Sequence, residues 1–109
     1  MHSDYYMVIS TIDDENLAAE IANKMVSQRL ARCVNIIPGT RSIYSWQGEI
    51  CDDQELLMIF KTIHVKLEKL MESIREMHNY ELPEIVALPI TEGDDDYLRW
   101  IFDWTSAEL

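Results

Sequence analysis

Three stretches of this chain are apolar where a half-exposed strand would alternate: Tyr5-Tyr6-Met7-Val8-Ile9, Leu56-Leu57-Met58-Ile59-Phe60 and Ile85-Val86-Ala87-Leu88. Side chains on a strand point to opposite faces in turn, so an antiparallel sheet with one wet face reads apolar, polar, apolar. These stretches do not, so both faces of the sheet they form need cover. That requirement constrains the fold more than any other feature of the sequence.

The remaining segments supply cover for only one face. Asp13 and Asp14 follow the first strand and suit a helix N-terminus, where a carboxylate meets free backbone N–H groups and the positive end of the dipole. Leu17, Ile21, Met25 and Val26 then recur at helical spacing. Two long extended segments follow, from about Ala31 to Tyr44 and from about Glu49 to Ile63, joined by a turn at Ser45-Trp46-Gln47-Gly48. Pro38-Gly39 is expected to bend or bulge the first of them. The tip half of this hairpin is polar (Glu49, Asp52, Asp53, Gln54), so the hairpin outruns the core it serves.

Ile63, Leu67, Leu70, Met71, Ile74 and Met77 mark a second amphipathic helix. Pro83 precedes the fourth strand. Gly93 and Asp94 introduce a last helix bearing Tyr97, Leu98, Trp100, Ile101 and Trp104. The order is β-α-β-β-α-β with a tail helix, the α+β split βαβ arrangement of ferredoxin-like folds, with both main helices on one face of an antiparallel sheet. With 109 residues there is one domain, 1–109, and one core. The simplest cover for the second face is another copy of the chain, and a closed ring is favoured because an open one grows into fibres.

Charge narrows the partners. Nine basic residues against twenty acidic ones give a net charge of −11, which argues against nucleic acid and against an anionic membrane surface. The longest apolar run in the middle of the chain, Leu56 to Phe60, is far short of the roughly 20 residues a membrane helix needs. Met1-His2-Ser3-Asp4-Tyr5 lacks the basic start of a secretory signal, so a cytoplasmic protein is expected.

Each candidate chemical group has a plainer alternative. His78 follows the second helix and could ligate copper or zinc with Met77 adding a thioether, but no HxxxH or HxH partner exists, and a helix-end His commonly meets the last carbonyls. Cys33 and Cys51 have no CxxC spacing and no signature of a nearby base. They read as small buried hydrophobes at non-facing positions of the hairpin. Asp94-Asp95-Asp96 does not match a calcium loop and suits an N-cap and first turn. Trp46 at a polar hairpin tip needs cover, from a neighbouring subunit or a ligand. Lys61 interrupts an apolar strand and needs a partner if buried, with Glu84 the candidate. GxxxxGK[ST], GxGxxG and GxSxG are all absent, and no catalytic residue is assigned.

Several motifs together resemble one family. Ala31-Arg32-Cys33-Val34-Asn35-Ile36-Ile37-Pro38-Gly39, Ser42-Ile43-Tyr44-Ser45-Trp46-Gln47-Gly48, Lys61-Thr62, His78-Asn79-Tyr80-Glu81-Leu82-Pro83-Glu84-Ile85, Leu88-Pro89-Ile90 and Tyr97-Leu98-Arg99-Trp100-Ile101 are similar to the CutA family of divalent-cation tolerance proteins. The resemblance spans nearly the whole chain. It implies a homotrimer with long hairpins wrapping neighbouring subunits, a non-enzymatic role in tolerance of copper and other divalent ions, and an architectural likeness to PII signalling proteins.

The resemblance implies, from the family members described as binding copper, ligands at a Cys in the first strand and at two consecutive His before the Pro-Glu motif. Here those positions hold Ser10 and the pair Met77-His78, so one ligand of three is kept, and weak binding of Cu or another divalent cation at His78 is what the resemblance leaves. The PII likeness implies a second possibility, a small molecule in clefts between subunits lined by Trp46, Lys61, Tyr80 and Glu84. An acylphosphatase-like enzyme shares the element order but needs an Arg and a Gly-rich loop after the first strand, where this chain has Thr11-Ile12-Asp13-Asp14.

Overall fold

The structure, a computed structural model, describes residues 4–108. The N-terminal stretch read for a secretory start therefore falls mostly outside the described residues. Seven elements follow in chain order: β1 (Tyr5–Ile12), α1 (Glu15–Ser27), β2 (Cys33–Trp46), β3 (Glu49–Ile63), α2 (His64–Met77), β4 (Ile85–Ile90) and α3 (Asp95–Thr105). Local chemistry sets their ends. Asp14 caps α1, its carboxylate accepting from Leu17 N–H at 3.0 Å. Asp94 does the same for α3 at Tyr97 N–H, with Asp95 and Asp96 in the first turn as the sequence predicts.

The hairpin is tighter than expected. Trp46 is the last residue of β2, opposite Glu49, and only Gln47 and Gly48 form the turn. Their φ values of 48° and 82° are the two positive angles of a type I′ turn, which matches the twist of the flanking strands better than a wider loop. Pro38-Gly39 does interrupt the ladder. The register shifts between Ile37 and Thr40, and Gly39 takes φ 81°.

The strands pair antiparallel in the order β2-β3-β1-β4, the split βαβ topology. Both α1 and α2 pack on one face. Val8, Ile12, Met58 and Phe60 from the sheet meet Ala18, Ile21 and Met25 from α1 and Leu70 and Ile74 from α2, all fully buried. Alternation sends the neighbouring residues to the other face, where Tyr5, Met7, Ile9, Ile37, Leu57, Ile59, Val86 and Leu88 lie. Of these, Ile37 is 42% exposed and Val86 48%.

Among the described residues, a helix covers that second face at one end. There α3 packs against β3, and Ile63 and Ile101 are buried. Beyond the bulge, β2 and β3 leave the domain as a two-stranded arm with Ile43 and Ile50 well exposed, in a molecule 44 Å long and 22 Å across its narrowest axis. Among the described residues no helix is long and apolar enough to cross a membrane.

Candidate functional site

The segment after α2 is tied to β1, to the loop that follows β1 and to β3 by three consecutive side chains. The backbone N–H of His78 completes α2 by donating to Ile74 O at 3.0 Å. Its ring then spends both nitrogens. Nδ1 accepts from Tyr80 N–H at 3.1 Å, so the ring proton belongs on Nε2, which lies 2.8 Å from the Thr11 carbonyl in β1. Asn79 Nδ2 donates to Asp13 at 3.2 Å. The Tyr80 hydroxyl donates to Glu55 at 2.7 Å, joining the loop to the root of the arm. The His78 and Tyr80 rings meet edge on, with centroids 4.6 Å apart.

A second tyrosine continues this row. Asp53 lies two residues from Glu55 on β3 and so points to the same side, where it accepts from the Tyr44 hydroxyl at 2.5 Å. Both phenols are pushed well above the ordinary tyrosine range. For Tyr80 burial is the main cause, followed by the hydrogen bond to Glu55 and the nearby charges of Glu55 and Asp13. For Tyr44 the bond to Asp53 dominates. On the arm's opposite side Arg41 and Asp52 form a two-pronged ion pair at 2.8 and 2.6 Å, which lowers the Asp52 carboxyl and raises the Arg41 guanidinium. Both groups are solvent-exposed, so the pair orients the arm more than it stabilises the domain.

The metal ligands implied by the resemblance sit as follows. Ser10 lies on β1 with its hydroxyl fully buried and without a hydrogen-bond partner among the described residues. Met77 packs against the helix-side core. His78 has the two hydrogen bonds just described. Among the described residues no group of three or more His, Cys, Asp or Glu is placed to hold a metal. An alcohol, a core thioether and an imidazole with both nitrogens engaged do not fit a tight copper or zinc centre, which calls for several converging soft or imidazole donors.

The four cleft candidates do not converge within one subunit. Trp46 stands opposite Glu49, and Lys61 is twelve residues further along β3, a separation of about 40 Å at about 3.3 Å per residue. Tyr80 lies between them, at Glu55. The expected Lys61–Glu84 pair does not form. Lys61 instead points to α3, with Nζ 3.2 Å from the Tyr97 hydroxyl and 5.5 Å from the ring centre. The register explains this: Glu84 precedes Ile85, which stands level with Ser10 and Met58, two strands over from β3 and three residues short of Lys61. Cys33 faces Lys61 and Cys51 faces Tyr44, so the two thiols are free and far apart, as the sequence predicts.

Sequence reasoning missed Glu55, Asp53 and Tyr97 as partners. The two acids had a readable signal, since Asp53 and Glu55 continue the alternation of β3 past its apolar half. Tyr97 had none, because the path of α3 across the sheet is not encoded locally.

The topology defines a class first: a split βαβ domain with an extended central hairpin and a tail helix laid across the sheet. The family model described as CutA1 divalent ion tolerance protein matches residues 6–103. The chain belongs to that family. It is 50% identical over 95 residues to the divalent-cation tolerance protein CutA of Thermus thermophilus, covering 87% of this chain and 92% of that one. It is 43% identical over 95 residues to a chloroplastic protein CutA of Arabidopsis thaliana, of which it spans only 52%. Among solved structures, the Thermus thermophilus protein superposes with a TM-score of 0.89 at 48% identity, over 93% of this chain and 98% of that one. CutA1 from a psychrotrophic Shewanella gives 0.93 at 33% identity, over 98% and 100%.

Proposed function

We propose that the protein serves divalent-cation tolerance as a non-enzymatic homotrimer, whose subunits cover one another's open sheet faces and hold one another's arms. The observation that carries this reading is the sheet itself. Its second face bears Met7, Ile9, Leu57, Ile59 and Leu88, and among the described residues α3 is the helix that packs on it, at one end. An apolar face of this kind, next to an arm with Ile43 and Ile50 exposed, supports an assembly partner there. Family membership supports the tolerance role.

Direct ion binding at His78 is weak in this reading. A metal at Nδ1 displaces the Tyr80 N–H, and a metal at Nε2 displaces the Thr11 carbonyl, so each mode costs a bond already made. Light scattering on the purified protein tests the trimer, and calorimetric titration with copper and zinc tests the ion. A monomer at micromolar concentration overturns the assembly. Binding tighter than micromolar that His78→Ala abolishes overturns the weak mode.

A second reading, a small-molecule site between subunits, draws on the hydrogen-bonded row Tyr80–Glu55 and Tyr44–Asp53. It lies between Trp46 at the arm tip and Lys61 at the base. Thermal-shift measurements with nucleotides and small anions test it, since a ligand bound only by the native state raises the melting temperature.

A further inference from the structure

We propose that α3 is a strap that opens and closes as a unit over the end of the open sheet face, and that Arg29 and Trp104 are its latch. The helix is anchored unlike α1 and α2. None of its residues belongs to the main cluster of buried core residues, and its principal packing partner is β3. Of its own residues only Ile101 and Thr105 are fully buried against the rest of the chain. Residues 91–94, which lead into it, have no regular structure. Segments with few buried apolar contacts and a free approach open below the global unfolding energy.

Cations meet the aromatic rings of the helix. Lys61 lies by Tyr97, Arg32 sits 4.1 Å from the Trp100 ring centre and 5.5 Å from that of Trp104, and Arg29 stacks 3.7 Å over Trp104. Three of the chain's nine Lys and Arg are spent on this one helix in a strongly acidic protein. At the far end the two helix termini cap each other. Trp104 Nε1 donates to Val26 O in the last turn of α1 at 2.8 Å, and Arg29 Nη1 donates to Trp104 O near the end of α3 at 3.4 Å.

Arg29 is the telling residue. It follows the C-cap Gln28 of α1 with φ 61°, in the left-handed region where a helix normally places Gly or Asn. A residue chosen only to end α1 would be Gly. The strained Arg is accounted for by its guanidinium, which reaches both the face and the carbonyl of Trp104. Opening the strap breaks this contact and uncovers Ile63 and Lys61 on β3.

Hydrogen exchange of the intact protein, read by peptide mass spectrometry, tests this with Arg29→Gly. The substitution removes the latch and relieves the strain at once, so the two roles predict opposite signs. A latch makes peptides from 95–105 exchange on the order of tenfold faster, from the loss of one partly buried cation–ring contact, while 15–27 exchanges no faster than in the wild type. Unchanged exchange in α3, or uniform acceleration of all segments, overturns the proposal. Trp104→Phe keeps a ring under Arg29 and removes the N–H to Val26. It should give a smaller acceleration confined to α3, and no acceleration there removes Trp104 from the latch.

Discussion

The two faces of the sheet are built from the same four strands and from similar residues, yet they meet different surroundings. Phe60 is fully buried under the helices; Ile59, one residue earlier, points the other way and is only half-buried. The helix face is finished within the chain, whereas the open face is finished only at the end where α3 lies. Burial in an isolated subunit therefore does not measure how strongly a position resists change. A face can be part of a core that needs more than one chain to close it.

Phe60→Ala gives the largest expected effect. It should cost about 3–5 kcal/mol in urea unfolding, from lost transfer energy and a residual cavity. Ile59→Ala is the informative contrast. On a face left bare it costs under about 1 kcal/mol; on a face covered by another copy it costs about 2–4 kcal/mol and its midpoint depends on protein concentration. The second outcome is expected. A small loss that does not depend on concentration breaks the comparison.

Tyr80→Phe probes the rim between the faces and the arm. It should lower stability by about 1.5 kcal/mol, the worth of a hydrogen bond to a charged acceptor. The pH profile adds a sign. The folded protein holds the Tyr80 proton above the ordinary phenol range, so this contribution is complete below about pH 10 and is lost as pH rises beyond it. Tyr80→Phe should flatten that alkaline fall, and a profile unchanged from the wild type would mean that burial and the Glu55 bond do not hold the Tyr80 proton in the folded protein. The smallest effect belongs to Ser10, a hydroxyl facing the helices. Thr62 on the same face donates to Leu30 O at 2.7 Å, whereas Ser10 has no partner among the described residues. Removing an unsatisfied hydroxyl should help, so Ser10→Ala is expected to raise stability by about 0.5–1 kcal/mol. A loss in chemical denaturation would show that the hydroxyl is satisfied in solution.

Most of the architecture was legible because it is written locally. The element order, the start of β3 at Glu49 and the caps at Asp14 and Asp94 follow from periodicity and from short polar side chains at helix starts. The bulge at Pro38-Gly39 was equally plain. The turn was read two residues too wide because Ser45 and Trp46 look like loop residues, yet both keep strand partners in Ile50 and Glu49. The assignments that needed distant pieces did not come through. Lys61 was matched to a carboxylate by charge, but Tyr97 reaches it from 36 positions away. Nothing near Arg29 in sequence says that Trp104 will lie against it, 75 positions on. For the candidate site, the motif around His78 located the loop, and only coordinates show that the ring is occupied by its own backbone neighbours.

The register shift beside Gly39 has one more consequence. From Ile37 to Thr40 β2 advances three residues while β3 recedes two, from Leu57 to Glu55. Strand side chains follow a binary code, up and down, and one surplus residue inverts it. Before the shift, the odd-numbered residues of β2 share a side with Leu57 and Ile59; after it, the even-numbered ones share a side with Asp53 and Glu55. Tyr44 and Trp46 are therefore on the side of the tyrosine–carboxylate row because of a parity change made several residues earlier. Losing a single residue there would restore one-for-one pairing between Ile37 and Thr40, removing the bulge and leaving every arm residue on the side it now occupies. Losing two would leave β2 one residue short against β3, and that slip would bring Arg41 and Ile43 to the side where Tyr44 and its neighbours now stand.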